Sequence, residues 1–176
     1  MRTNGSGFPE NHFVRQFFRK VADRALGQAS LADEDLLLYL SDLLTDFIDC
    51  RSVDCLRDAK GDRVIYPTDM MEIAGRLPRS QRKACYQQIG DYTLFMLGMF
   101  PESLSRGRRT IPHSYYADTG RRSYVAASEL ERDISGTVVF RKLAAKYEGC
   151  VLTLSWVREY TSDPFYQYML RQFGIT

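Results

Sequence analysis

Apolar residues in this chain recur every three or four positions over most of its length, the spacing that lines one face of an α-helix. From Asn11 onward, Phe13, Phe17 and Val21 share a face with Val14, Phe18 and Ala25, while Arg15, Arg19 and Arg24 lie off it. Asp33 and Glu34 suit the positive end of a second helix. There Leu36, Leu40, Leu43 and Phe47 form a stripe that Leu37, Leu44 and Ile48 widen. Residues 51–66 break the pattern around a Lys60-Gly61-Asp62 corner and predict a long connection, with Arg63–Tyr66 as a short extended piece. A short helix follows from Pro67 to Leu77, closed by Pro78.

Ser80 is a candidate cap for a helix running to about Phe100. Its second half, Leu94 to Phe100, is apolar on every side, which predicts a central helix surrounded by others. A basic loop over 101–111 leads to a helix from Pro112 to about Glu131. Ser135 or Gly136 then precedes what reads as the longest helix, ending near Tyr160. Its seam is Phe140, Leu143, Tyr147, Cys150, Leu154 and Val157. Asp163 and Pro164 open a last short helix that Gly174 ends. These elements predict an all-α fold: a single-domain bundle of six or seven helices around the helix at about 80–100. Residues 1–10 read as a disordered start and 11–174 as one helical domain.

Composition agrees with that outline. A chain of 176 residues with 44% hydrophobic and 12% aromatic residues fits one folded domain rather than a disordered chain. No apolar run approaches the ~20 residues of a membrane crossing, and the first dozen residues carry no apolar core for a secretion signal. Four cysteines, Cys50, Cys55, Cys85 and Cys150, fit a reducing compartment. Cys50 and Cys55 form a lone close pair, and His12 and His113 are far from it in sequence, so zinc is not expected. The expectation is a cytoplasmic chain with no cofactor, no metal and no membrane.

Charge is unevenly spread although the net value is only +2. Asp35, Asp42, Asp46 and Asp49 share a face of the second helix, a row that could hold Mg²⁺ in a helical phosphohydrolase. No second helix offers a matching acidic face; Glu129, Glu131 and Asp133 come nearest, so a solvated or salt-bridged row is favoured. Arg106, Arg108, Arg109, Arg121 and Arg122 lie close in sequence to Tyr115, Tyr116 and Tyr124, as a site for an anionic ligand or RNA would require. The bland alternative is pairing with the protein's own acids. Gly90, Gly98 and Gly120 predict close helix approach, and Asp91, beside the apolar half of its helix, needs buried partners such as Tyr116, Tyr124 or an arginine. Motifs for nucleotide binding, zinc proteases and serine hydrolases are missing, so no catalytic residue is assigned.

The run Gly90-Asp91-Tyr92-Thr93-Leu94-Phe95-Met96-Leu97-Gly98-Met99-Phe100, followed by Ser103-Leu104, Tyr115-Tyr116, Gly120 and Tyr124, resembles a pattern of uncharacterised bacterial helical proteins. That pattern is G-D-x-x-L-F-x-x-G-x-F … Y-Y-x-x-x-G-x-x-x-Y, and the similarity spans about residues 35–160. The resemblance implies a bacterial, cytoplasmic, all-helical chain and brings no activity with it. Arg121 and Arg122 replace the small residues it leads one to expect. Taken together, the leading expectation is a non-catalytic interaction module that self-associates, as a homodimer, with Tyr160, Phe165, Tyr166 and Tyr168 as candidate interface aromatics. Binding of an anionic ligand or RNA is the alternative, and an enzyme using Asp91 or the acidic row is the third.

Overall fold

The computed structural model describes residues 10–48, 66–105 and 112–162. Among them are seven α-helices and no strand: α1 (Glu10–Gln28), α2 (Glu34–Ile48), α3 (Pro67–Arg76), α4 (Arg79–Met99), α5 (His113–Leu130), α6 (Ile134–Ala145) and α7 (Tyr147–Thr161). The chain is an all-α single-domain bundle. No helix among the described residues is long and apolar enough to cross a membrane.

Helix α4 is the hub. It packs chiefly against α5 and α7 and also touches α2 and α3. Leu94 and Leu97 are buried, and Phe95 stacks on Phe47 of α2 with ring centroids 4.1 Å apart. Glycines set the close approaches. A Cβ on Gly98 would run into Leu154 of α7, with Leu154 Cδ1 only 3.1 Å away, and one on Gly90 would lie 2.7–2.9 Å from the Tyr124 ring of α5.

The turn from α1 into α2 closes in two steps. Leu31 N–H donates to Leu26 O at 2.9 Å and Ser30 N–H to Gly27 O at 3.2 Å, a Schellman pair with Ser30 in the left-handed region (φ 53°). Asp33 then caps α2, its Oδ1 accepting from the N–H groups of Asp35 (3.1 Å) and Leu36 (3.4 Å).

Several sequence expectations need correction. Ser80 does not cap α4; Pro78 is the N-cap residue without a side-chain bond, and its carbonyl accepts from Gln81 and Arg82. Pro112 likewise stands just before α5 as its N-cap residue, not inside it. The loop at 101–111 begins with a 3-10 turn over Pro101–Ser105. The longest helix is α4, because the helix expected to reach Tyr160 is two helices divided at Lys146 (φ −112°, ψ 26°). Asp133 caps α6 through Gly136 N–H at 3.0 Å. The apolar seam survives the division, since its residues from Phe140 to Val157 are all buried. The expected extended piece at 63–66, apart from Tyr66, and the last helix from Asp163 lie outside the described residues.

Beyond its cap, Asp33 ties the start of α2 to α6 and to the break at Lys146. Lys142 Nζ sits 3.0 Å from Asp33 Oδ1 and 2.6 Å from Asp35 Oδ2, and Lys146 Nζ lies 3.5 Å from Asp33 Oδ2. Burial pushes the Asp33 carboxyl up, but the Lys142 hydrogen bond, the Leu36 N–H and the lysine charges outweigh it, so the group titrates below its ordinary 3.8. On Glu131 the Lys83 hydrogen bond at 2.7 Å acts first and leaves that carboxyl below its ordinary 4.5. Both carboxyls therefore hold fewer protons in the folded than in the unfolded chain, which makes their stabilisation present above the ordinary carboxylate range and lost as pH falls through the lowered values. Urea midpoints should stay level from neutral pH to about 5 and drop below about 4. Asp33→Asn should flatten the Asp33 share of that drop; an unchanged acid profile would show that Asp33 does not contribute.

Candidate functional site

Asp91 on α4 is the one acidic or basic side chain that is buried among the described residues, only 6% exposed. The absence of a side chain on Gly90 lets the Tyr124 ring cross the α4 backbone, which carries its hydroxyl to Asp91 Oδ1 at 2.9 Å. Tyr39, from α2, donates to the same oxygen at 2.6 Å. Gln87, one turn before Asp91 on α4, donates from Nε2 to Tyr39 Oη at 3.2 Å. The two tyrosine rings pack with a third: Tyr39 meets Tyr124 and Phe140 edge-on at 6.2 and 6.1 Å, and Phe140 lies nearly parallel to Tyr124 at 6.2 Å.

Two residues further along α4 is a second polar link. Tyr147 of α7 donates to Thr93 Oγ1 at 3.0 Å, and the Thr93 hydroxyl faces the Ile89 and Gly90 carbonyls at 2.8 and 3.0 Å. Gly120 of α5 lies directly against this pair. Burial first, then the nearby Asp91 charge, pushes the Tyr124 phenol well above its ordinary value, and burial likewise raises Tyr147. Both phenols keep their protons at neutral pH and serve as hydrogen-bond donors.

Three of the other acidic candidates, Asp35, Asp42 and Glu131, are drawn into seams between helices. Asp35 pairs with Lys142 of α6 at 2.6 Å and Asp42 with Arg15 of α1 at 2.5 Å. Asp46 is exposed, and Asp49 lies outside the described residues. Glu131 holds Lys83, and Asp133 caps α6. Among the described residues no group of three or more His, Cys, Asp or Glu is placed to hold a metal ion.

The arginine–tyrosine cluster is taken apart by the helix it sits on. Tyr116 and Tyr124 face inward, at 5% and 0% exposure, so neither is a stacking platform beside the arginines. Positions 116, 120 and 124 share the inner stripe of α5, while 121 and 122 fall on other sides. Arg121 is held by Asp118 at 2.5 Å and Glu148 at 2.8 Å. Arg122 is exposed and Tyr115 half-buried. Arg106, Arg108 and Arg109 lie outside the described residues.

Tyr160 docks within the chain, under the Arg24 guanidinium at 4.7 Å, stacked on Trp156 and hydrogen-bonded to Gln28. Phe165, Tyr166 and Tyr168 are outside the described residues, as are Cys50 and Cys55. Cys85 and Cys150 are buried free thiols, pushed up by burial to about 11 and about 12. Such thiols are poor nucleophiles at neutral pH. His113 is exposed at the first residue of α5.

Sequence reasoning names Asp91 and Tyr124 but misses Tyr39, Gln87, Thr93 and Tyr147. The local signal for Gln87 is its place one helical turn before Asp91. Comparison with models of protein families, with curated proteins and with solved structures finds no match to this chain.

Proposed function

We propose that this chain is a non-catalytic helical interaction module that associates with itself as a homodimer. The observation that carries the reading is how the chemically capable side chains are used. Asp91 receives two tyrosine hydroxyls, Asp35 and Asp42 pair with bases on other helices, and Arg121 sits between two acids. These groups hold helix to helix. Meanwhile large apolar side chains stand in solvent, Ile134 foremost at 82% exposure. The resemblance of the α4–α5 motif supports a bacterial source, and the free thiols of Cys85 and Cys150 support a reducing, cytoplasmic setting.

Native mass spectrometry at low salt tests the reading. A mass at twice 20.3 kDa without an adduct is the expected result. A single-chain mass at every concentration overturns self-association. A retained small molecule overturns the module reading; an anionic one would favour the ligand or RNA alternative, for which Arg122 is the one exposed arginine of the cluster among the described residues.

A further inference from the structure

The outward face of α6 has an order that its fold does not use. Exposed positions there are 134, 135, 138, 141 and 145, and apart from Ser135 they step by four, three and four. Three of the four are apolar: Ile134 at 82% exposure, Val138 at 41%, and Ala145. This is the spacing by which one helix lays a seam against another. The inner side of α6 is already occupied, since Phe140 meets Tyr39 of α2 and Tyr124 of α5. The neighbours beside those tyrosines in sequence, Leu38 and Val125, are exposed at 42% and 45%.

Charge says what covers the α6 face. Helix α6 is bipolar on its exposed side: Glu129 and Asp133, with Arg132 between them and all three exposed, leave a net acidic end before it, whereas Arg141 stands exposed near its other end. Arg141 makes no ion pair among the described residues. A second α6 running antiparallel across the first places acidic end against basic end twice over. With the axis at Val138, residue 141 of one copy stands opposite residue 135 of the other, within a turn of Asp133. A parallel arrangement would set like charges together.

We infer that the homodimer forms on a two-fold axis through the α6 face, with Val138 at its centre, Ile134 in the apolar seam, and Arg141 meeting the acidic end of the partner helix. An isologous contact of this kind is self-complementary by construction. The inference rests on the self-association reading above and adds the surface and the symmetry.

Sedimentation velocity over a wide concentration range tests it, with far-UV circular dichroism confirming that each variant keeps its helices. Wild type is expected as a dimer, and Ile134→Asp/Val138→Asp as a monomer at concentrations where wild type is fully paired. Arg141→Glu should raise the dimer Kd at least about tenfold by setting acid against acid. Leu152→Asp, on the exposed side of α7, should leave the dimer intact. A dimer untouched by both α6 variants overturns the assigned surface while leaving self-association in place. Wild type that is monomeric throughout overturns both, and a trimer or larger closed ring overturns the two-fold arrangement.

Discussion

Gly120→Ala should lower the stability of this chain by about 3 kcal/mol, although alanine is the better helix former by about 1 kcal/mol. The new Cβ would lie 2.5 Å from Thr93 Oγ1 and closer still to the Tyr147 hydroxyl. Neither neighbour has room to retreat, because Thr93 and Tyr147 are both 0% exposed. Relief requires parting α5 from α4 and α7, or breaking the Tyr147–Thr93 hydrogen bond and leaving buried polar groups unmatched, a cost of about 1–3 kcal/mol in itself. Gly27 and Gly75 supply the contrast, since a Cβ at either meets nothing within 4 Å. Gly27→Ala and Gly75→Ala should be neutral or stabilising by up to about 1 kcal/mol. Urea unfolding of the three variants decides it; a Gly120→Ala midpoint equal to or above wild type would mean that the three-helix junction is looser than the geometry states.

That contrast shows what local pattern can and cannot reveal. The order of the helices from α1 to α5 follows from apolar periodicity, because each helix must turn one stripe inward, and that stripe is visible in sequence. The role of α4 as hub follows from its apolar second half. The break at Lys146 is different. The seam from Phe140 to Val157 keeps its spacing across the break, so periodicity alone reads one helix where there are two. Asp33 shows a second limit. Its place at the start of α2 is legible locally, yet its lysine partner at 142 lies 109 residues further on. Long-range pairs of that kind are set by which helices become neighbours.

The arginine–tyrosine segment shows a third limit, and an avoidable one. Closeness in sequence suggested a shared surface, but within α5 helical geometry sends adjacent residues to different faces. Tyr116, Gly120 and Tyr124 step by four and belong inside together, away from Arg122. Tyr39 escaped notice for the opposite reason. It flanks the leucine stripe of α2, where it reads as one more packing residue, and only the crossing of α2 over α4 brings its hydroxyl to Asp91.

The Asp91 centre should behave as a unit whose members cannot be removed singly. Asp91→Ala takes the acceptor away from two tyrosine hydroxyls, of which Tyr124 is fully enclosed, and should cost about 3 kcal/mol or more. Tyr124→Phe removes one donor from a buried carboxyl group and should cost about 1.5–3 kcal/mol, with the ring packing on Gly90 preserved. Asp91→Asn keeps an oxygen acceptor at the same place and should be milder than Asp91→Ala. The informative variant is Asp91→Leu/Tyr39→Phe/Tyr124→Phe, which converts the three polar groups to apolar ones of similar shape. Asp91→Ala strands two phenols, while the triple variant removes the acceptor together with both donors, at the expense of the half-buried Gln87 bond to Tyr39. The triple variant should therefore be more stable than Asp91→Ala despite carrying more changes. Denaturant midpoints measured side by side test the order. If the triple variant is instead the least stable, Asp91 does more than bind two phenols, and its role as a structural knot gives way to that of a group whose charge the bundle needs.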